Sequence, residues 1–277
     1  MRPGAHDASA RRSAMTEDRP SSDEWARDGD ASRRRARASG ATSRGDANAR
    51  GTSRRTMASS GGVNPRALAE AQRADEMFEV MRPPPSDGFD VDRDRPTPTG
   101  ERKARGLVHA DGDWHRSAHV WLVDARRGRL AMQRRSAKKD TFPNRWDISA
   151  AGHVSVDDDG DSRKTAVNEL AEELGVELDD PRELEFQFTC PAEMAPLGGC
   201  NCFEDVYFLP WNVDSNGDAF AVGEAEVTAT KWIDIDDLRR ALEDDDDSYV
   251  PRTATYRAHF FDRLARFAAR ERARDTA

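Results

Sequence analysis

Residues 166–176 read Ala-Val-Asn-Glu-Leu-Ala-Glu-Glu-Leu-Gly-Val. At about 3.6 residues per turn, Glu169, Glu172 and Glu173 share one face of a helix. Apolar residues fill much of the opposite face, and Gly175 is placed to end the helix. This stretch therefore predicts a helix whose acidic face can hold divalent cations.

The charges around this helix are placed against the usual preferences of helices. Arg163 and Lys164 fall near its predicted start, whereas the glutamates crowd its C-terminal half, where the helix dipole favours cations. Like charges at i and i+4 cost a helix about 0.2–0.5 kcal/mol per pair. No Lys or Arg lies within four residues of the glutamates to offset this cost. A solvated acidic face is the ordinary interpretation, but a functional site is favoured because a bound cation would supply the missing compensation.

The sequence before the helix makes the motif specific. Residues 149–161 begin Ser-Ala-Ala-Gly-His and end in an acidic loop. Together with the helix, they resemble the signature of Nudix hydrolases, G-x5-E-x7-R-E-U-x-E-E-x-G-U, in which U is aliphatic. Gly152 opens the match, Val176 closes it, and the three glutamates and Gly175 take signature positions between them.

Two features depart from that signature. The loop carries two extra residues, so either Asp158, by spacing from Gly152, or Asp161, the acid next to the position counted back from the helix, replaces the signature glutamate. Asn168 stands where the signature has arginine. An amide can hydrogen-bond but carries no charge. The resemblance implies that metal binding survives this change, while the rate or the metal geometry is affected.

Flanking segments extend the resemblance over residues 76–270. They are similar to the Nudix subgroup that resembles isopentenyl-diphosphate isomerases, which includes the N-terminal Nudix domain of some plant proteins. The resemblance implies an α/β/α sandwich around a mixed sheet. It also implies hydrolysis of a diphosphate linkage, in a nucleoside diphosphate derivative or a prenyl diphosphate, with Mg²⁺ as the cofactor and Mn²⁺ as the second choice. The segments that carry this similarity are 114–124, 130–149, 203–208, 226–233 and 249–251.

The metal site is expected at the glutamates of the motif. Two unit charges 5 Å apart repel by about 3 kcal/mol at an effective dielectric constant of 20, so cations have to lie between a diphosphate and these carboxylates. We expect Glu169, Glu172 and Glu173 to be the metal ligands and catalytic residues, and the carbonyl oxygen of Gly152 to be a fourth ligand.

Other charged residues complete the candidate site. A basic loop directly before the motif could bind phosphates, although as a solvated turn it would need no explanation. A further acid or base from outside the motif is also expected. The basic residues are Arg134, Arg135, Lys138, Lys139 and Arg145, and the additional acids are Glu204, Glu224 and Glu226.

Two alternative functions stay open. A catalytically weak Nudix module that binds a nucleotide or a protein partner is compatible with Asn168 and the longer loop. The isomerase reaction is the least favoured, because it needs a cysteine just before the motif glycine, where this chain has Ala150 and Ala151.

Composition divides the chain into regions. Residues 1–60 contain 13 Arg, no Lys and 8 acids, whereas the whole chain has a net charge of −9. Such a segment cannot bury enough apolar surface to order itself, so residues 1–62 are predicted to be a disordered tail, with an organelle transit peptide as the second interpretation. We expect a helix and a proline-rich lead-in over 63–100 and the hydrolase domain over 101–277.

Composition also argues against several classes of protein. No apolar run approaches 18 residues, so membrane spanning and secretion are not expected, and the location is intracellular: cytoplasmic, or plastid or mitochondrial with a transit peptide. The acidity of the folded part argues against nucleic-acid binding. Cys190, Cys200 and Cys202 have no suitably spaced histidine along the chain, so we expect ordinary thiols and no zinc site. His153, next to the motif glycine, could face either solvent or substrate.

Hydrophobic periodicity predicts strands interleaved with well-separated helices, which favours a mixed sheet clamped between helices. Composition alone would not separate this fold from other α+β arrangements. The predicted strands are 103–109, 116–124, 130–134, 183–189, 203–211 and 227–233, and the predicted helices are 64–78, 162–174, 234–243 and 253–270.

Overall fold

Two layers of helices enclose a mixed sheet in the computed structural model, which describes residues 75–223 and 225–275. The strands are β1 (Met77–Met81), β2 (Pro98–Ala104), β3 (His115–Asp124), β4 (Arg129–Arg135), β5 (Trp146–Asp147), β6 (Ala150–His153), β7 (Glu185–Glu193), β8 (Asn201–Pro210) and β9 (Val227–Asp234). The helices are α1 (Arg105–Asp111), α2 (Ser162–Leu174), α3 (Val213–Asn216), α4 (Ile235–Glu243) and α5 (Ala254–Asp275).

The central strand of the larger sheet is β3. It pairs in parallel with β8, and antiparallel with β6 and with the start of β4. β7 lies beyond β8, while β5 and β9 both pair with β4. β1 and β2 form a separate antiparallel pair. One parallel pair among antiparallel ones makes the larger sheet mixed, as the sequence predicts.

Alternation along β3 builds a core on each face of the sheet. Val120 and Leu122 point into a cluster with Leu170 of α2. Trp121 points the other way, into a cluster with Phe260 of α5. Because successive strand residues point to opposite faces, one buried strand serves both helical layers. The α/β/α sandwich is confirmed.

Local signals fix both ends of α2. The Asp161 side chain accepts a hydrogen bond from the Arg163 backbone N–H at 2.9 Å, which is an N-cap. Gly175 follows the last helical residue with φ +64°, and its N–H bonds back to the Ala171 carbonyl. The helix predicted over 162–174 has these bounds in the structure.

Two predictions near the start of the described region are wrong. The predicted strand 103–109 is the end of β2 followed by α1, because pairing with β1 stops at Ala104. The predicted helix 64–78 has its last two residues in β1, while 64–74 lie outside the described residues. The predicted tail, 1–62, with its alternative transit peptide, also lies outside them. Among the helices of the described region, none is long and apolar enough to cross a membrane.

Candidate active site

Two glutamates of α2, the helix that carries the motif, lie close together beside β6. Glu173 is buried, with 1% of its surface exposed. Its carboxylate accepts hydrogen bonds from Gln133 Nε2 at 2.7 Å and from the Ala151 backbone N–H at 2.9 Å. These bonds fix the carboxylate against the sheet, so Glu173 has little freedom to move.

Gly152 lies directly under the second glutamate. A Cβ atom at this position would be 1.8 Å from Oε1 of Glu169 and 2.3 Å from its Cδ. Any other residue would therefore push the Glu169 carboxylate away from the β6 backbone. The contact explains on steric grounds why the motif needs glycine here.

A third carboxylate joins from the loop before β9. One carboxylate oxygen from each of Glu169, Glu173 and Glu226 lies within 4.8 Å of the others. Burial, followed by the nearby Glu173 and Glu226, raises the pKa of Glu169 well above 4.5. Burial likewise raises the pKa of Glu173 to about 7, against the effect of Lys139. Oxygen donors that repel one another so strongly fit a divalent cation.

Lys139 supplies the positive charge that the helix itself lacks. Its ammonium group lies 3.5 Å from Glu173 Oε1 and forms an ion pair with Glu226. Burial acts to lower the pKa of Lys139, but these two carboxylates together raise it above its ordinary value. The compensation was invisible in the sequence because Lys139 precedes Glu173 by 34 residues.

Glu172, the remaining motif glutamate, is exposed and borders the cavity beside the site. Its pKa is raised by partial burial and by the charges of Glu226 and Asp158. Unlike Glu173, it is placed where water can reach it. The three motif glutamates therefore occupy different environments, although they share one helical face.

The cavity has a volume of about 240 Å³ and a strongly polar lining. On its wall, Arg252 is ion-paired with Asp147 and lies 3.7 Å from Glu204. Burial raises the pKa of Glu204 to about 7, although Arg252 opposes the shift. Of the predicted additional acids, Glu204 and Glu226 border the cavity, and Glu224 lies outside the described residues.

The basic loop reaches the cavity at only two of its five predicted positions. Arg135 and Lys139 line it, and both contact carboxylates. The other three, which the sequence also assigned to phosphate binding, do not line it. Arg134 donates to the Asn144 carbonyl, Lys138 is exposed, and Arg145 pairs with Asp247.

Two arginines that the sequence analysis missed do line the cavity. They are Arg105, at the start of α1, and Arg252, just before α5. Neither belongs to a motif, and among many arginines nothing in the local sequence singles them out. Only the fold brings them to the same cavity as α2.

The two residues at which the chain departs from the family signature, Asn168 and Asp158, contact each other in the structure. Asn168 Nδ2 donates to Asp158 Oδ1 at 3.0 Å, and Thr165 Oγ1 donates to Asp158 Oδ2 at 2.7 Å. Asp158 thus ties the lengthened loop to α2, whereas Asp161 caps the helix. Asn168 contacts this loop aspartate instead of a glutamate of the metal site.

Three histidines and two cysteines form a second cluster that reaches the cavity. His153 Nε2 lies 3.4 Å from Cys200 Sγ, which lies 3.4 Å from Cys202 Sγ. His115 Nε2 is 3.3 Å from Cys202 Sγ, and His109 completes the cluster. Spacing along the chain did not reveal this cluster, because the fold brings histidines from other segments to Cys200 and Cys202; whether the thiols are ordinary stays a prediction. Cys190 is not part of the cluster.

Comparison with known proteins now places the chain in a family. The model of the NUDIX domain matches residues 113–253, just over half of the 277-residue chain. The chain therefore belongs to the NUDIX domain family, whose divalent-cation chemistry agrees with the carboxylate site.

Three curated relatives show how far the similarity reaches. Nudix hydrolase 3 of Arabidopsis thaliana is 40% identical over 167 residues, which cover 59% of this chain and 21% of the relative. An uncharacterized Nudix hydrolase of Clostridium acetobutylicum is 33% identical over 51% of this chain and 68% of its own length. A prenyl-diphosphate phosphatase of Methanosarcina mazei is 25% identical over 54% and 81%, respectively. The chain thus matches only about a fifth of the length of the Arabidopsis protein.

Proposed function

We propose that this chain is a Mg²⁺-dependent hydrolase that cleaves a diphosphate linkage in a nucleoside diphosphate derivative or a prenyl diphosphate. The proposal rests on the gathering of Glu169, Glu173 and Glu226 oxygens within 4.8 Å at the cavity. An all-oxygen donor set suits Mg²⁺ best, and Mn²⁺ second. Glu169 packs against Gly152, and the backbone carbonyl oxygen of this glycine is the further ligand proposed.

The residues around the cavity would have different roles in the reaction. A bound divalent cation would neutralise phosphoryl charge and lower the pKa of a water molecule. Glu169, Glu173 and Glu226 would hold that cation. Glu172, the exposed member that borders the cavity, is placed to accept a proton from the attacking water, and partial burial with the charges of Glu226 and Asp158 raises its pKa, which makes it a stronger base. Arg105 and Arg135 would hold the phosphates.

The cavity volume limits which part of a substrate is enclosed. About 240 Å³ is less than the roughly 300–1,000 Å³ of pockets that enclose drug-sized ligands. Its lining carries at least eight charged side chains and few apolar ones. We infer that the diphosphate lies inside, and that a long prenyl chain or a nucleoside extends beyond the mouth. Turnover should then depend weakly on prenyl chain length.

The relatives support this substrate range. One of them is named as a prenyl-diphosphate phosphatase, which favours prenyl diphosphates as one of the substrate classes to be tested. Membership of the subgroup similar to isopentenyl-diphosphate isomerases is part of the same proposal. Isomerisation itself is not favoured, because Ala150 and Ala151 hold the positions where that reaction needs a thiol.

A binding module is the second candidate, and one observation favours it. The Lys139 ammonium already offsets part of the negative charge of Glu173 and Glu226, so these carboxylates have a positive partner even without a catalytic metal. In that case the cavity would bind a diphosphate compound through its arginines without cleaving it.

Phosphate release by the full chain, with and without Mg²⁺, decides between the candidates. The panel contains dinucleoside, sugar-nucleotide, oxidised-nucleotide and isoprenoid diphosphates of several chain lengths. We expect Mg²⁺-dependent turnover of at least one class, and a loss of roughly 100-fold or more in kcat for Glu172→Gln. Glu177→Gln, at an exposed glutamate just after α2, is the matched control. No turnover on any class, with diphosphate binding intact, would establish the module.

A further inference from the structure

The second cluster, of imidazoles and thiols, has the composition of a different kind of metal site. Its four principal donors come from four segments: His109 from α1, His115 from the start of β3, His153 from the end of β6, and Cys200 from the turn before β8. One donor atom from each lies within 4.8 Å of the others. His109 and His115 are six residues apart, whereas His153 and Cys200 lie far from them and from each other in the sequence.

The distance between His153 and Cys200 matches the edge of a coordination tetrahedron. Zinc binds nitrogen at about 2.0–2.1 Å and sulfur at about 2.3 Å, so neighbouring donors in a tetrahedral site lie about 3.3–3.8 Å apart. The His153–Cys200 contact of 3.4 Å falls in this range. The Cys202 sulfur lies beside these donors, 3.4 Å from the Cys200 sulfur and 3.3 Å from His115 Nε2.

The histidine rings are oriented as metal ligands are. His115 is fully buried, and its Nδ1 lies 3.1 Å from the Asp113 carbonyl oxygen, which leaves Nε2 turned toward the sulfurs. In metal sites, the second ring nitrogen of a histidine ligand usually donates to such an oxygen. His109 follows the same pattern, with Nδ1 3.7 Å from an Asp140 carboxylate oxygen.

The strongest single observation is a buried nitrogen without a partner. His109 Nε2 is inaccessible to solvent and has no hydrogen-bond partner. A buried polar atom left unpaired costs about 1–3 kcal/mol, so it calls for an explanation. Nε2 is also the nitrogen left free when Nδ1 faces Asp140. A metal ion bound at Nε2 would satisfy it.

We propose that His109, His115, His153 and Cys200 bind a zinc ion, with the Cys202 thiol beside the Cys200 sulfur. Three imidazoles and a thiolate are the donors that zinc prefers, whereas the all-oxygen set at the glutamates suits Mg²⁺. Four protein ligands leave no open position, so the ion is structural. It ties α1 to three strands of the sheet and, through His153 and Cys200, stiffens the wall of the cavity.

Metal content of the full-length protein tests this proposal without any assay of hydrolysis. The protein is purified under reducing conditions and dialysed against a weak chelator, and zinc per chain is measured by mass spectrometry. We expect one equivalent. After removal by a strong chelator, Co²⁺ should restore a tetrahedral visible spectrum with a thiolate-to-cobalt charge-transfer band.

Matched variants identify the ligands. Cys200→Ser and His109→Gln should weaken zinc binding at least ~100-fold, and Cys200→Ser should remove the charge-transfer band. Cys190→Ser, at a buried thiol outside the cluster, and Glu169→Gln, in the carboxylate site, should keep both zinc and spectrum. Circular dichroism checks that each variant folds, and the Co²⁺ spectrum of the unmutated chain tests the site even where a variant does not.

Three results would overturn the proposal. They are the absence of retained zinc in the unmutated chain, wild-type zinc content in Cys200→Ser, and loss of zinc from Glu169→Gln but not from Cys200→Ser. Failure of the hydrolase assay would leave these measurements unaffected, because they follow a different ion at different donors.

Discussion

At the scale of single residues, Gly152 shows how an absent side chain positions a functional one. The Glu169 carboxylate occupies the space that a Cβ would take, with three of its atoms within 2.7 Å of that point. Overpacking of this kind costs typically about 1–3 kcal/mol. The Glu169 oxygens therefore reach Glu173 and Glu226 only because position 152 lacks a side chain.

A double-mutant cycle in urea denaturation isolates this contact. We expect Gly152→Ala to lower the unfolding free energy by about 1–3 kcal/mol, and to abolish Mg²⁺-dependent turnover by displacing Glu169. In a Glu169→Ala background the clashing atoms are gone, so the same glycine substitution should cost much less. Equal costs in the two backgrounds would show that the strain lies elsewhere in β6.

Residue-scale charge compensation explains why the motif helix tolerates its glutamates. From sequence, the acidic face lacks any cation, and this absence alone pointed to a bound metal. The fold supplies Lys139 from the loop after β4, with its ammonium group 3.5 Å from Glu173 Oε1. Such long-range pairs leave no trace in sequence spacing. The sequence argument for a functional site at this helix was therefore incomplete in its charge balance.

At the scale of elements, the loop before α2 is held to the helix by one aspartate. Asp158 accepts hydrogen bonds from both Thr165 and Asn168, which lie one turn apart on α2. The family signature has arginine where this chain has Asn168. An Asp–Asn pair keeps the loop and the helix together without that positive charge.

Removing the loop contact should therefore affect the helix that carries the glutamates. We expect Asp158→Ala to lower the unfolding free energy by about 1–2 kcal/mol, because it removes two hydrogen bonds to a charged acceptor. Asp157→Ala, at the exposed neighbouring aspartate, is the control and should change stability by less than about 0.5 kcal/mol. Equal denaturation midpoints for the two variants would contradict this role of Asp158.

Elements differed in how well the sequence predicted them, and the reason is physical. Asp161 and Gly175 carry local capping signals, so the bounds of α2 followed from neighbouring residues alone. By contrast, the boundary between β2 and α1 depends on where β2 stops pairing with β1. Residues 103–109 carry no local signal for that pairing. The histidine–cysteine cluster was missed for the same reason, since His109, His115 and His153 belong to separate elements.

At the scale of the whole molecule, β6 connects the two clusters of candidate metal ligands. Gly152 packs against the Glu169 carboxylate, and the next residue, His153, belongs to the imidazole–thiol cluster. Both residues line the cavity. A four-residue strand in the middle of the sheet therefore sets the distance between an oxygen-rich site and a nitrogen- and sulfur-rich one.

Burial makes the ionised carboxylates of this site unfavourable in the folded protein. Protons and a metal ion should therefore compete for these carboxylates, and each should change the free energy of unfolding. The folded-state pKa of Glu173, about 7, lies above its ordinary value of 4.5. Its protonated form is therefore favoured by folding, and metal-free stability should fall as pH rises from about 4.5 to 7. A cation binds the ionised form, so it should restore stability mainly at the upper end of this range.

Thermal unfolding of the zinc-loaded full chain at pH 6 and pH 8, with and without Mg²⁺, measures this competition. At 100 times its dissociation constant, Mg²⁺ should stabilise the protein by about 2.7 kcal/mol at pH 8. The effect should be clearly smaller at pH 6, where a proton on Glu173, whose pKa is about 7, competes with the ion; the raised pKa of Glu169 acts in the same direction. Glu169→Gln should abolish the Mg²⁺ effect, and Glu177→Gln should preserve it. A Mg²⁺ effect that is equal at both pH values, or that survives Glu169→Gln, would show that the ion binds away from these carboxylates, and the hydrolytic role of α2 would fail with it.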